Sequence, residues 1–364
     1  MLFSRVVVSL TLLNGLDIVI ATPQACQTHR NQWVTLAQIP APRQEHSSVA
    51  INNTTIAIVG GVTPIGDSSH QSGLETTDLV QLYDIPSDTW RTVAPIPYKV
   101  NHPNVAAVNG KIYVLGGLVE SQTPPEPQPD WVASGECYVY DPTTDTWEEL
   151  EPMPRGTERG SALMGVYGEM IYVAGGMTFL IPDHQDSFTT VTAFNTTSST
   201  WQRLPAHAAN LPEGRQHGAG AVVGHTFYVI GGRWFEKQNV RGTVFKLDLH
   251  DQAEGWKISE GYMPVPRGGI SGTVVGNQFY TFGGEANPNT INGVFNETEV
   301  FNVETEEWSR LKPMAVPVHG TSAVAVGQMV YIAGGGLQED GLLVVEGGVE
   351  HWLQTTNHFS AYCV

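Results

Sequence analysis

The strongest constraint on this chain is a glycine pair that recurs six times. The pairs stand at Gly60-Gly61, Gly116-Gly117, Gly175-Gly176, Gly231-Gly232, Gly283-Gly284 and Gly334-Gly335, at spacings of 56, 59, 56, 52 and 51 residues. Each closes a β-like run: TIAIVGG, KIYVLGG, MIYVAGG, TFYVIGG, QFYTFGG, MVYIAGG. Five are followed by an aromatic or apolar residue, then Asp or Asn, then a spaced Trp: LYDIPSDTW, VYDPTTDTW, AFNTTSSTW, KLDLHDQAEGW and VFNVETEEW. A period near 50 with such punctuation marks a repeat architecture.

The glycine pair, the Tyr-Asp-like step and the spaced Trp resemble the kelch repeat. That resemblance covers nearly all of the chain after its N-terminal leader and implies an all-β, six-bladed β-propeller with four-stranded blades. The sixth pair has no Trp at the usual distance, whereas Trp33 precedes the first pair by 27 residues, close to the 26 to 28 that separate Trp90, Trp147, Trp256 and Trp308 from the pairs after them. Trp33 is therefore expected on the outer strand of the C-terminal blade, beside the strand near Leu343–Val345.

Composition fits this fold. Of 364 residues 39 are glycine, 15% are charged and 41% are apolar, which suits a β protein with many tight turns and a real core. A formal net charge of −18 argues against nucleic acid and anionic membranes as partners. Residues 1–21 read as a secretory signal peptide, with Arg5, an apolar run and small residues before Ala21; residues 22–364 are then one propeller domain. Export to the secretory lumen or beyond agrees with glycosylation sequons at Asn52, Asn53, Asn195 and Asn296. No later run is long and apolar enough for membrane insertion. Oligomeric state is not legible. Cys26 and Cys363 flank the expected seam, which suggests a disulfide between them, while Cys137 reads as an inert buried thiol.

In each blade the first strand lines the central channel and needs small side chains. At the entrances to these strands stand His46, His102, Arg159, His217 and His319, with Gly268 in the remaining blade. Two readings are open. The imidazoles could bond neighbouring blades, repeated because the blade repeats, or they could form a catalytic polar site at the channel mouth, able to move protons near neutral pH. Four rings on different blades stand too far apart to share one ion; two adjacent ones could, but no metal and no cofactor is expected. Loops after the glycine pairs carry Trp131, Phe179, Phe188, Arg233, Trp234 and Phe235, expected as partly apolar walls for a small hydrophobic or aromatic substrate.

No nucleophile elbow, P-loop, zincin motif or dinucleotide fingerprint is present. The iron-binding Glu-Asp-His spacing of plant kelch specifier proteins is also missing. The layout of leader, six blades and paired terminal cysteines is similar to fungal kelch proteins of secondary metabolism, in particular the hetero-Diels–Alderases of tropolone–sesquiterpene biosynthesis. That resemblance implies cycloaddition of a tropolone-derived quinone methide with a terpene such as humulene. The alternatives are a non-catalytic propeller for glycans or proteins, and a sugar isomerase or mutarotase, since one bacterial sialate mutarotase family is also a six-bladed kelch propeller.

Overall fold

Each repeat folds where its pattern says it should. Alternating apolar residues build a strand, a two-residue turn reverses it, and in five blades the glycine pair ends the second strand; in the second blade that strand runs through Gly116-Gly117 to Glu120 and pairs with Trp131–Asp141. A computed structural model describes residues 30–64, 74–122, 131–181, 184–340, 344–346, 349–351 and 354–364. In the first blade the strands are Ser47–Asn52, Thr55–Val59, Val80–Asp84 and Thr89–Thr92, antiparallel in that order from the axis outward. The inner strands of the next five blades are Val105–Val108, Leu163–Tyr167, Ala219–Val223, Ser271–Val275 and Ala323–Val326. Each inner strand packs on the next, and the sixth packs on the first, closing the ring.

Closure uses the N-terminus. Trp33–Thr35 pairs with Phe359–Cys363, which pairs with Met329–Ala333 and then with Ala323–Val326. The outer strand is thus the expected one, but its partner is not. Residues 344–346 pair instead with 349–351 as a separate hairpin in the loop of the sixth blade. The third strand of that blade begins only at Phe359, because the hairpin lengthens the loop. Cys26 and the whole leader lie outside the described residues. Cys137 is a buried thiol, pushed up to about 12 by its burial.

The repeat residues bind blade to blade. The indole N–H of Trp90 donates to Ala37 O (2.8 Å), Trp147 to Ala94 O (3.0 Å), Trp201 to Glu151 O (3.1 Å), Trp256 to Ala208 O (3.0 Å) and Trp33 to Lys312 O (3.1 Å). The second glycine of five pairs donates its N–H to the entrance of the following blade, as Gly176 does to Arg215 O at 2.7 Å. Four entrances carry a fully buried arginine, Arg43, Arg159, Arg215 and Arg267. Each guanidinium turns into its own blade; that of Arg159 donates to Val173 O (2.8 Å) and Thr192 Oγ1 (2.9 Å).

Candidate functional site at the head of the central channel

The entrances converge on the axis through a closed circle of main-chain hydrogen bonds. Glu45 N–H donates to Gly320 O (2.6 Å), His102 to Glu45 O (2.8 Å), Ser161 to His102 O (3.0 Å), His217 to Ser161 O (3.3 Å), Gly269 to His217 O (2.9 Å) and Gly320 to Gly269 O (3.3 Å). All six residues have positive φ, between 49° and 64°. Two blades use glycine there, as left-handed backbone favours. The other four place Glu45, His102, Ser161 and His217 in a conformation that costs side-chain-bearing residues free energy and recurs at functional sites.

Three of those side chains meet under the circle. His102 Nε2 lies 2.9 Å from Glu45 Oε2 and 3.1 Å from His217 Nε2, and His217 Nε2 is 4.0 Å from the same Glu45 oxygen. Each residue is at most 7% exposed. Amides fix the rings: His102 Nδ1 faces Asn101 Oδ1 at 2.7 Å, and His217 Nδ1 is bonded to Gln216 Oε1. Beyond Glu45, His319 Nδ1 stands 3.7 Å from Glu45 Oε1 and 3.4 Å from Glu285 Oε1, while Arg233 pairs with Glu285 and reaches Gln185 Oε1 at 3.1 Å.

The charges in this buried cluster balance. Burial would raise the Glu45 carboxyl, but His102, His319 and His217 hold it at about 2. Burial would also raise Glu285, and His319 with Arg233 brings it well below the carboxylate range. His319, which burial alone would lower, is carried to about 10 by Glu285, Asp340 and Glu45. His217 is pushed well below its ordinary value by burial, then by Arg233 and His102. Two anions, Glu45 and Glu285, therefore face two cations, His319 and Arg233, as burial of charge requires.

The five entrance residues divide. His102 and His217 occupy equivalent positions and touch. His319 lies one residue earlier in its repeat and His46 one later, because Gln44 and His319 are the matching bridge residues. His46 Nε2–H donates to Ala333 O (2.9 Å) and lies 3.1 Å from Thr321 Oγ1, and burial, then Arg43, drives it down to about 3, so it is neutral packing between blades. Arg159 does not reach the cluster. Glu45, Asn101, Gln216 and Glu285 were not expected. Gly269 and Gly320 carry the signal that finds the first: aligning all repeats on the positive-φ residue puts Glu45 with His102 and His217.

A cavity of about 540 Å³ runs down the axis from this head. Glu45, His46, His102 and His217 line one end; small residues of the inner strands, among them Ala107, Gly165, Ala221 and Ala325, line the rest. The expected aromatic walls lie elsewhere. Trp131 packs 5.6 Å from His102, Phe179 sits against His184 at 5.4 Å, and Phe188 is half-buried, its N–H bonded to Gly176 O. Trp234 and Phe235 stack edge-on at 5.2 Å, both more than a third exposed, and Arg233 is buried in its ion pair.

This arrangement defines a six-bladed β-propeller whose channel is headed by a buried histidine–carboxylate cluster. The chain belongs to the kelch-repeat family: it matches the KLHDC2/KLHL20/DRC7 Kelch-repeats domain over residues 22–232 and 164–343. It is 34% identical over 338 residues to Kelch-like protein terF of Aspergillus terreus, covering 90% of this chain and 70% of that one. It is 32% identical over 161 residues to Kelch repeat and BTB domain-containing protein 12 of Homo sapiens, and 22% identical over 299 residues to beta-scruin of Limulus polyphemus. The matches cover 43% and 82% of this chain but only 25% and 30% of those longer proteins. Among the described residues no helix is long and apolar enough to cross a membrane.

Proposed function

We propose that the protein is a fungal secondary-metabolism enzyme that uses its central channel as a reaction chamber for an intermolecular hetero-Diels–Alder cycloaddition between a tropolone-derived quinone methide and a sesquiterpene such as humulene. One observation carries this reading: a cavity of about 540 Å³ headed by the histidine–carboxylate cluster and walled by small residues, alanines and glycines together with serines and threonines. Small-molecule sites fall at roughly 300–1,000 Å³. Similarity over 90% of the chain to a fungal protein supports the setting.

The chemistry asks for those two surfaces. A hydroxymethyl tropolone loses water: its C–O bond breaks, the departing oxygen takes a proton, and the ring hydroxyl gives one up. The resulting diene and one terpene alkene then form a C–C and a C–O bond with no change of oxidation state. The histidine–carboxylate head holds the oxygen-rich partner, and the channel of small inner-strand residues below it holds the terpene. Most of the acceleration comes from positioning, with charge stabilisation at the tropolone oxygens adding to it.

The protein works in the secretory lumen or outside the cell. The exposed sequon residues Asn52, Asn53 and Asn296 support this placement. The test is incubation of the purified chain with the hydroxymethyl tropolone and humulene. A single stereoisomer, formed faster than in buffer, is expected; the buffer product mixture at the buffer rate would refute the reading. The closed main-chain circle favours a second reading, a binding propeller without chemistry, which saturable binding without turnover would select.

A further inference from the structure

Three potential ligand atoms, Glu45 Oε2, His102 Nε2 and His217 Nε2, converge at the head of the channel. The Asn101 amide N–H donates to Thr76 Oγ1 (2.9 Å), which leaves its oxygen facing His102 Nδ1. The Gln216 amide donates to Gln185 Oε1 (2.7 Å) and Phe235 O (2.9 Å), which leaves its oxygen facing His217 Nδ1. Both rings must therefore carry N–H at Nδ1, so in each neutral ring Nε2 is a bare lone pair. Those lone pairs face each other at 3.1 Å, and one faces a carboxylate oxygen at 2.9 Å. The other Glu45 oxygen is buried without a hydrogen bond. A proton on one Nε2 or a metal cation at the centre relieves the repulsion in such a set, and the three atoms point at one common centre.

We propose that Glu45, His102 and His217 form a binding site for a divalent metal ion of the Zn2+ type, with its remaining coordination position open to the central cavity. The three ligand atoms lie 2.9, 3.1 and 4.0 Å apart. A tetrahedral zinc with bonds of about 2.0–2.2 Å needs ligand edges of about 3.3–3.6 Å, which those distances straddle. Two imidazoles and one carboxylate with a free position is the donor set of catalytic rather than structural zinc. Hydrogen bonding of both Nδ1 atoms to amide oxygens is the outer-shell arrangement that orients metal-bound histidine. All three residues line the cavity, so the open position takes water or an anionic oxygen donor from within it. This deepens the proposed function, and rests on it only for the use of that position: one tropolone oxygen is an anionic donor that could take it.

The test needs no substrate. Full-length protein is stripped with chelator, dialysed against Zn2+ and assayed for bound metal, with Co2+ substituted in parallel for its visible spectrum. One equivalent of Zn2+ per chain and four-coordinate Co2+ bands are expected. His102→Asn tolerates the positive φ but lacks Nε2, and should weaken Zn2+ affinity by more than about 100-fold; Gln216→Leu, which acts through His217, should weaken it by about 10- to 100-fold. His184→Ala, on the exposed rim, should change nothing. Folded protein holding less than a tenth of an equivalent would overturn the proposal. So would Zn2+ retained in His102→Asn but lost in His250→Ala, which would move binding to the surface group His225, Asp248 and His250. Failure here leaves the cycloaddition assay unaffected, and the reverse also holds.

Discussion

At the scale of single residues, backbone geometry decides what each position can hold. Gly175 has φ +64° and an added Cβ would stand 2.2 Å from Arg215 O, a main-chain atom that cannot yield. Gly175→Ala should therefore cost roughly 1–3 kcal/mol, read from denaturant unfolding. Arg159 makes the opposite point. Its guanidinium caps carbonyls within its blade, so Arg159→Met should lose about 1–3 kcal/mol of stability while activity per folded molecule stays unchanged. A selective loss of activity without loss of stability would return Arg159 to the site. The sequence shows that histidines gather at strand entrances, with His102 and His217 two of the ring, but their contact with each other was not legible. Their partner Glu45 was not, because matching on His46 shifts the first repeat by one residue and hides the carboxylate. Glu285 and Asn101 come from loop and bridge positions whose contacts depend on curvature across the ring.

At the scale of elements, the tryptophans of the outer strands tie neighbouring blades together. Trp147 stacks on Tyr140 at 5.0 Å and donates to Ala94 O, whereas the Trp308 indole N–H has no partner. Trp147→Phe should cost about 1 kcal/mol more than Trp308→Phe in parallel unfolding titrations. Asp145 beside them is held below the ordinary carboxylate range, first by the Tyr140 hydroxyl and then by the Ala94 N–H. A lowered folded-state value means its stabilisation is present above the unfolded value of about 3.9 and is lost as pH falls through the folded one. Melting midpoints measured from pH 6 to 3 should fall, and Asp145→Asn should flatten the acid limb; parallel curves would refute the assignment. The Trp spacing made the outer strand of the last blade legible. Its neighbour was misplaced because an extra hairpin at 344–346 and 349–351 separates the second strand from the third. The aromatic-rich FSAYC, which takes the position of LYD and VFN in other blades, was the better signal.

At the scale of the molecule, one ring serves both stability and function. Its seam is held by Asn31 N–H to Cys363 O (2.8 Å) and Cys363 N–H to Gln32 O (3.0 Å), which sets Asn31, five residues after Cys26 in the sequence, alongside Cys363. A Cys26–Cys363 disulfide should appear in non-reducing peptide maps and contribute about 5 kcal/mol in the chain-entropy account; two free thiols in secreted material would refute it. The central claim is that the channel, rather than the outer loops, is where the substrate goes. Ala107 lines the cavity on an inner strand. The direct measurement is turnover by Ala107→Phe, with its melting curve recorded alongside. The account predicts a folded protein in which the ring fills the chamber and cycloaddition drops to the buffer rate. A folded variant with undiminished turnover would contradict it.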